Sequence, residues 1–277
     1  MRRSVALQST HNPRFRAALA LRDARDRRST GRILVDGGRE IGRALAAGVR
    51  PVELWVAHER IRDVESLATL HEAVALGMPM VEATPELLAT LAFGDRDEGL
   101  VLVAHAPSTD LRDLALPADA LVGVVEAVEK PGNLGAILRS ADGAGVDALI
   151  VADPRSDPWN PNAIRASMGT IFHVPLAVSS AAAALEFLEM HRVRVVATRV
   201  DGSVPYTQAD LTGAIAIVLG SEADGLSSAW SGPAVTAVHL PMQGIADSLN
   251  VSASAAVMFY EARRQRGSAL TEAARTG

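Results

Sequence analysis

Cysteine is absent from this 277-residue chain, which excludes disulfides, thiolate nucleophiles and thiolate metal sites. Aromatic residues make up only 4%. No apolar run reaches the roughly 18 residues of a membrane span. The start, MRRSVALQSTHNPRF, is basic but has no continuous apolar stretch, so no secretory signal is read there and the cytoplasm is the expected compartment. The seven histidines are scattered without ligand spacing, and no metal is expected. Neither G-x-x-x-x-G-K-[ST] nor G-x-S-x-G occurs. GAGVDA, Gly143 to Ala148, fits G-x-G-x-x-A, but it follows a helical pattern and precedes a strand pattern, the reverse of a dinucleotide fingerprint. Gly143 and Gly145 read instead as a helix C-cap and turn. That counts against a nucleotide-dependent oxidoreductase.

Lysine is nearly absent too: Lys130 is the only one, so almost every cation is an arginine. The net charge of −5 argues mildly against a nucleic-acid partner, but its distribution does not. Residues 1–50 carry +8 and the other 227 residues carry −13. An arginine-rich end on an acidic protein is the asymmetry expected where one region docks on phosphates. A solvated amphipathic helix would also account for RFRAALALRDARDRR.

Nearly half of the residues are apolar, enough for one large or two ordinary domains. Residues 13–28 read as a helix. GRILVDGGREIGRALAAGVRPVELWVA reads as strand, turn, helix and strand. Then follow a helix in IRDVESLATLHEAVALG, a strand in MPMVEA, a helix capped by Thr84 with Pro85 in its first turn, and a strand in GLVLVAHA. This first α/β domain spans 1–106. Residues 107–120, with two prolines and little periodicity, read as a linker. The second domain, 121–277, has strands expected at Leu121–Val128, Ala148–Ala152, Val193–Thr198, Ala214–Gly220 and Val235–Leu240, with Phe172–Val178 as a further candidate. Its helices are expected at Leu134–Gly143, Pro161–Gly169, Ala181–His191 and Ser248–Gln265. Strands apolar throughout and separated by helices predict a mostly parallel sheet covered on both faces.

Three segments of this second domain carry polar groups where such sheets bind ligands. EKPGNLGAILRSADGAG, Glu129 to Gly145, follows an apolar strand. Asn133 stands at the helix start, where it can cap or orient a loop, and Arg139 projects one to two turns further in. A phosphate loop and an ordinary cap with a surface arginine are both open readings of this segment alone. IVLGSEADGLS, Ile217 to Ser227, is a strand that ends in small residues and a turn, a position where free backbone groups meet ligands. VHLPMQGIADSLNVSASAA, from Val238, runs from a strand through Leu-Pro-Met to Ser248-Leu249-Asn250 at a helix start. Capping explains Ser248 and Asn250 but not their spacing from Leu-Pro-Met.

Together the three segments resemble the motifs of the SpoU (TrmH) family of SPOUT RNA 2′-O-ribose methyltransferases. N-x-G-x-x-x-R is represented by Asn133, Gly135 and Arg139, the second motif by LGSEADGLS, and the third by LPM with SLNVSASAA. The resemblance covers roughly residues 121–265. The first domain resembles, more loosely, the small ribosomal-protein-like substrate-binding domain fused to many members, with Asp36-Gly37 where an EG is common.

The resemblance implies an α/β trefoil-knot domain, a homodimer with its active site at the dimer interface, S-adenosyl-L-methionine as cofactor, and methylation of a ribose in RNA. Large-subunit ribosomal RNA is the expected substrate, with transfer RNA, or RNA binding without chemistry, as alternatives. By resemblance, Thr198, Leu219, Gly220, Leu240, Met242 and Leu249 hold the donor, and Gly220 would admit a close backbone approach. Arg139 matches the catalytic arginine. A free arginine has a pKa of about 12.5 or more, so gripping the target phosphate and stabilising alkoxide charge suits it better than acting as a base. Ser248 and Asn250 would orient the ribose, and Glu222 would organise the Asn133 loop or pair with an arginine. Arg165 matches a second arginine position, for RNA backbone or the donor's carboxylate. Arg14, Arg16, Arg28 and Arg39 are the candidate RNA contacts of the first domain.

Overall fold

The computed structural model describes residues 7–93 and 98–276. It divides into two compact units. The first is Met1–Pro107 together with Asp157–His173, and the second is Ser108–Ser156 together with Val174–Gly277.

In the first unit, α1 (Pro13–Ala20) and α2 (Ala24–Thr30) lead into β1 (Arg32–Asp36), α3 (Gly38–Ala46), β2 (Pro51–Val56), α4 (Val64–Ala75), β3 (Met80–Glu82), α5 (Pro85–Leu91) and β4 (Leu100–His105). The sheet order is β1-β4-β2-β3, antiparallel except for β2 with β3. The helix expected over 13–28 is two helices. Asp23 caps the second by accepting from the Arg25 N–H at 2.7 Å, and nothing as overt as glycine or proline marks the break. Arg27 closes the first. Its guanidinium is 3% exposed and donates to the Leu21 and Arg22 carbonyls at 2.8 and 2.9 Å and to Asp157 at 2.7 Å. A buried arginine is tolerable because each of these acceptors replaces lost water. Thr84 caps α5 as expected, with Pro85 at its first position. Phe15, Trp55, Leu34, Leu88 and Val103 lie in the core between α1, α5 and the sheet.

The second unit contains β5 (Leu121–Glu126), α6 (Pro131–Ala144) and β6 (Ala148–Ala152). The chain then contributes α7 (Pro161–Ala166) to the first unit before returning as β7 (Leu176–Ser179), α8 (Ala181–Met190), β8 (Arg194–Thr198), β9 (Val204–Pro205), β10 (Ile215–Leu219), β11 (Val235–His239) and α9 (Val251–Thr276). Among the described residues the sheet has seven strands, β7-β6-β5-β10-β8-β11-β9, and all of its pairings are parallel. Every residue of β5, β6 and β10 is buried. Apolar side chains on both faces favour this arrangement, because helices cover each side. Of the two glycines read as C-cap and turn, Gly145 caps α6 in the left-handed conformation, φ 68°, and Gly143 lies within the helix.

Three further expectations shift. Phe172 is not in a strand: a 3-10 turn holds Thr170–Phe172, its ring stacks on Trp159 at 5.9 Å, and the strand begins only after Pro175. Residues 108–120 are not a bare tether. The Thr109 carbonyl accepts from the Val178 N–H at 2.8 Å, and Leu114 is buried in the core of the second unit. Helix α9 starts at Val251 rather than Ser248, because the Asn250 side chain caps it through the Ser252 N–H at 2.9 Å.

Candidate active site

Parallel strands end on one side of their sheet, so the loops after β8, β10 and β11 meet there. They enclose a cavity of about 510 Å³, a volume suited to a small-molecule ligand. Thr198 to Asp201 form one wall, the 219–226 turn another, and Leu240, Met242, Ser248 and Leu249 close it. All six residues expected to hold the donor line this cavity, as do Glu222 and Ser248.

Gly220 needs no side chain for a different reason from the one expected. A Cβ there would overlap the Gly225 backbone within the same turn, where Ser221 and Gly225 exchange backbone hydrogen bonds at 3.1 Å. The close approach is of the chain to itself, and it shapes the cavity wall.

The cavity has features that select a ligand. Among the described residues the Thr198 hydroxyl is buried without a hydrogen-bond partner, and a buried polar group left unpaired costs free energy. Apolar Leu219, Leu226, Leu240 and Leu249 suit a flat heterocycle. Asp201, Glu222, Asp224 and Asp247 line the cavity against a single guanidinium, that of Arg199. Arg199 is engaged by Asp201 at 2.8 and 2.9 Å and by Ser231 at 2.6 Å, and it holds the Asp201 carboxyl below its ordinary range. This lining favours a cation over a polyphosphate. A sulfonium nucleoside fits it.

Beside the cavity the three motif segments meet. Asn133 is the third residue of α6, not its cap; Lys130 holds that position without a side-chain bond, and Pro131 follows. The amide of Asn133 is therefore free to donate to Glu222. Asn250 donates to the same carboxylate and to the Asn133 oxygen, each at 3.4 Å. A second tie lies nearby: Arg155 donates to Glu129 at 2.5 Å and to Asp224 at 2.6 Å, joining the loops after β5, β6 and β10. Sequence reading missed Arg155, Arg199, Asp201 and Asp247. The first three follow strand ends, which was the available signal.

Arg139 is exposed on α6, makes no hydrogen bond or ion pair among the described residues, and is absent from the cavity lining. Arg165 lies in the first unit. It donates to Asp36 at 2.9 Å, and Asp36 also accepts from the Phe93 N–H at 2.9 Å. Burial pushes the Asp36 carboxyl above its ordinary range despite these bonds, and Glu40 is raised for the same reason. Of the other candidate RNA contacts, Arg14 pairs with Glu53 at 2.6 Å, Arg16 and Arg28 are exposed, and Arg39 is half-buried. Among the described residues no group of histidine, cysteine or carboxylate side chains could hold a metal ion, and no helix is long and apolar enough to cross a membrane.

The model of the SpoU rRNA Methylase family matches residues 120–260. The chain belongs to that family. An MRM3-like substrate binding domain matches residues 12–102. The 23S rRNA (uridine(2479)-2′-O)-methyltransferase of Streptomyces viridochromogenes is 32% identical over 95% of this chain and 93% of its own. A solved RNA 2′-O ribose methyltransferase aligns with 38% identity and a TM-score of 0.83, over 94% of this chain and 99% of that one. The SpoU methyltransferase AviRb from S. viridochromogenes, solved in complex with the cofactor AdoMet, aligns with 29% identity and a TM-score of 0.84, over 92% and 98%. The span matched by the family, 120–260, takes in all three segments that meet beside the cavity.

Proposed function

We propose that this SpoU-family protein is an S-adenosylmethionine-dependent RNA 2′-O-ribose methyltransferase acting on 23S ribosomal RNA. One observation carries the reading: Asn133, Glu222 and Asn250, from three distant motifs, are bonded together beside a cavity whose lining suits a cationic nucleoside. The relatives' 23S rRNA activities and AdoMet-bound structure support it.

Thr198, Leu219, Gly220, Leu240, Met242 and Leu249 would hold the donor, with the unpartnered Thr198 hydroxyl free to meet one of its polar groups. The bound donor supplies an electrophilic methyl carbon. The protein's task is then to bring a ribose hydroxyl into line and to ease loss of its proton. Alignment can contribute several kcal/mol, about 7–11 at most. Ser248 and Asn250 orient the ribose. Glu222 keeps the Asn133 loop and the α9 start in register. Arg139, exposed and unpaired, grips the target phosphate and stabilises developing alkoxide charge. Arg14, Arg16, Arg28 and Arg39 contribute to RNA docking. Arg165 is held by Asp36 and serves RNA or the donor's carboxylate from there.

The same reading includes a first domain over 1–106 that recruits RNA, a linker over 107–120, a methyltransferase domain over 121–277 with a threaded trefoil C-terminus, a homodimer, and action in the cytoplasm. The test uses methyl-labelled donor with separated ribosomal and transfer RNA. Label entering 23S rRNA supports the reading. Label only in transfer RNA would move the substrate, and none in either would remove the activity.

A further inference from the structure

Strand register places three basic residues in one row across the first unit. Arg32 opens β1 directly opposite His105 at the end of β4. On the other side of β4, Pro51 pairs with Ala104, and the His105 N–H donates to the Arg50 carbonyl at 2.9 Å. Arg50, His105 and Arg32 are therefore successive neighbours across β2, β4 and β1. Directly opposed residues project from the same face with Cβ atoms about 5 Å apart, so the row spans roughly 10 Å.

Arg32 and Arg50 flank His105 rather than face each other. Here neither Arg32 nor Arg50 makes a side-chain hydrogen bond or ion pair among the described residues, and both are exposed. The acid on that face of β2, Glu53, pairs with Val103, two residues before His105. It is already committed to Arg14 at 2.6 Å and to the Trp55 indole N–H at 2.7 Å. Arg28, also exposed, stands on α2 four residues before Arg32.

We infer that the Arg32–His105–Arg50 row is a phosphate-binding surface for RNA, and that its unrelieved charge is kept for that partner. This rests on the RNA methyltransferase reading and assigns docking to residues that reading did not name. Two guanidiniums and an imidazole, on β1, on β4 and immediately before β2, match a run of backbone phosphates, whose recognition needs charge and spacing rather than base identity. An extended sugar-phosphate strand fits better than an isolated anion, because Arg32 and Arg50 are exposed and the row is spread over roughly 10 Å.

The test is binding of a 23S rRNA transcript to the full chain across a salt series, comparing wild type with R32Q/R50Q. As a control for loss of an exposed arginine, R112Q removes one already paired with Asp110. The double variant should lower the slope of log Kd against log salt by about two, roughly one per phosphate contact, while R112Q leaves it unchanged. Its melting temperature should stay near that of wild type, since neither arginine side chain has a hydrogen-bond or ion-pair partner to lose among the described residues. Unchanged slope and affinity in R32Q/R50Q would overturn the inference and assign the row to a partner other than RNA, with the methyltransferase reading intact. A wild type that does not bind the transcript and transfers no methyl label to it would overturn both.

Discussion

In the second unit the candidate donor-binding residues Thr198, Leu219 and Gly220 stand at the ends of parallel strands packed beside the fully buried β5; in the first the candidate RNA contacts stand on helices and on the rim of a mixed sheet. The difference sets what each can do. At the cavity, the core fixes the backbone to which Thr198, Leu219 and Gly220 belong, so geometry is held by packing energy spread over β5, β8 and β10. Alignment chemistry needs that rigidity. On the first unit, charge and spacing suffice, and individual arginines contribute in similar increments. Damage to the second unit should therefore be steep and local, and damage to the first shallow and cumulative.

The largest effect tests the exposed cation in the steep unit. Arg139→Ala should lower methyl transfer by about 10²–10³-fold, the usual cost of one charge-stabilising donor, while calorimetry shows donor affinity unchanged. Joint loss of donor binding would place Arg139 in the donor site instead. Next, Gly220→Ala forces the 221–225 turn away from its own backbone. Overpacking of this kind costs about 1–3 kcal/mol, and donor affinity should fall at least tenfold with a lower melting temperature. A variant that binds donor normally would show that the turn does not shape the site.

Thr198→Val separates ligand binding from folding. The hydroxyl has no partner among the described residues, so its removal should leave the melting temperature equal or higher, while donor affinity falls about three- to tenfold, the worth of one hydrogen bond. A stability loss without an affinity loss would contradict the assignment.

The smallest effect lies in the first unit. Glu40 is buried and its carboxyl is raised above its ordinary value. Folded Glu40 then holds its proton to higher pH than unfolded Glu40, so its favourable contribution is complete below the unfolded value and is lost as pH rises through the folded one. Glu40→Gln should be more stable than wild type at neutral pH, with the gap closing as pH falls towards 4.5. A gap that widens in acid would show that the carboxylate is stabilising as an anion.

The same contrast governs what the sequence disclosed. The parallel sheet was legible because unbroken apolar runs such as Leu121–Glu126 have few other uses, and the three motifs were legible because strand ends and turn residues bracket them. Local signals failed where a side chain had two possible jobs. Asn133 looks like a cap, but Pro131 starts the helix earlier and releases the amide to Glu222. Asp23 breaks the first helix although its neighbours are good helix formers. Long-range partners left no trace: nothing near Arg165 announces Asp36, 129 residues away, and nothing near Asp157 announces Arg27. The row of Arg32, His105 and Arg50 was likewise invisible, since it exists only once register is known.

The most direct measurement digests the labelled RNA product to nucleosides. The account predicts that the methyl label elutes with a 2′-O-methylnucleoside from a single alkali-resistant position. Label on a base-methylated nucleoside would contradict the ribose-directed site built around Asn133, Glu222, Asn250 and Arg139.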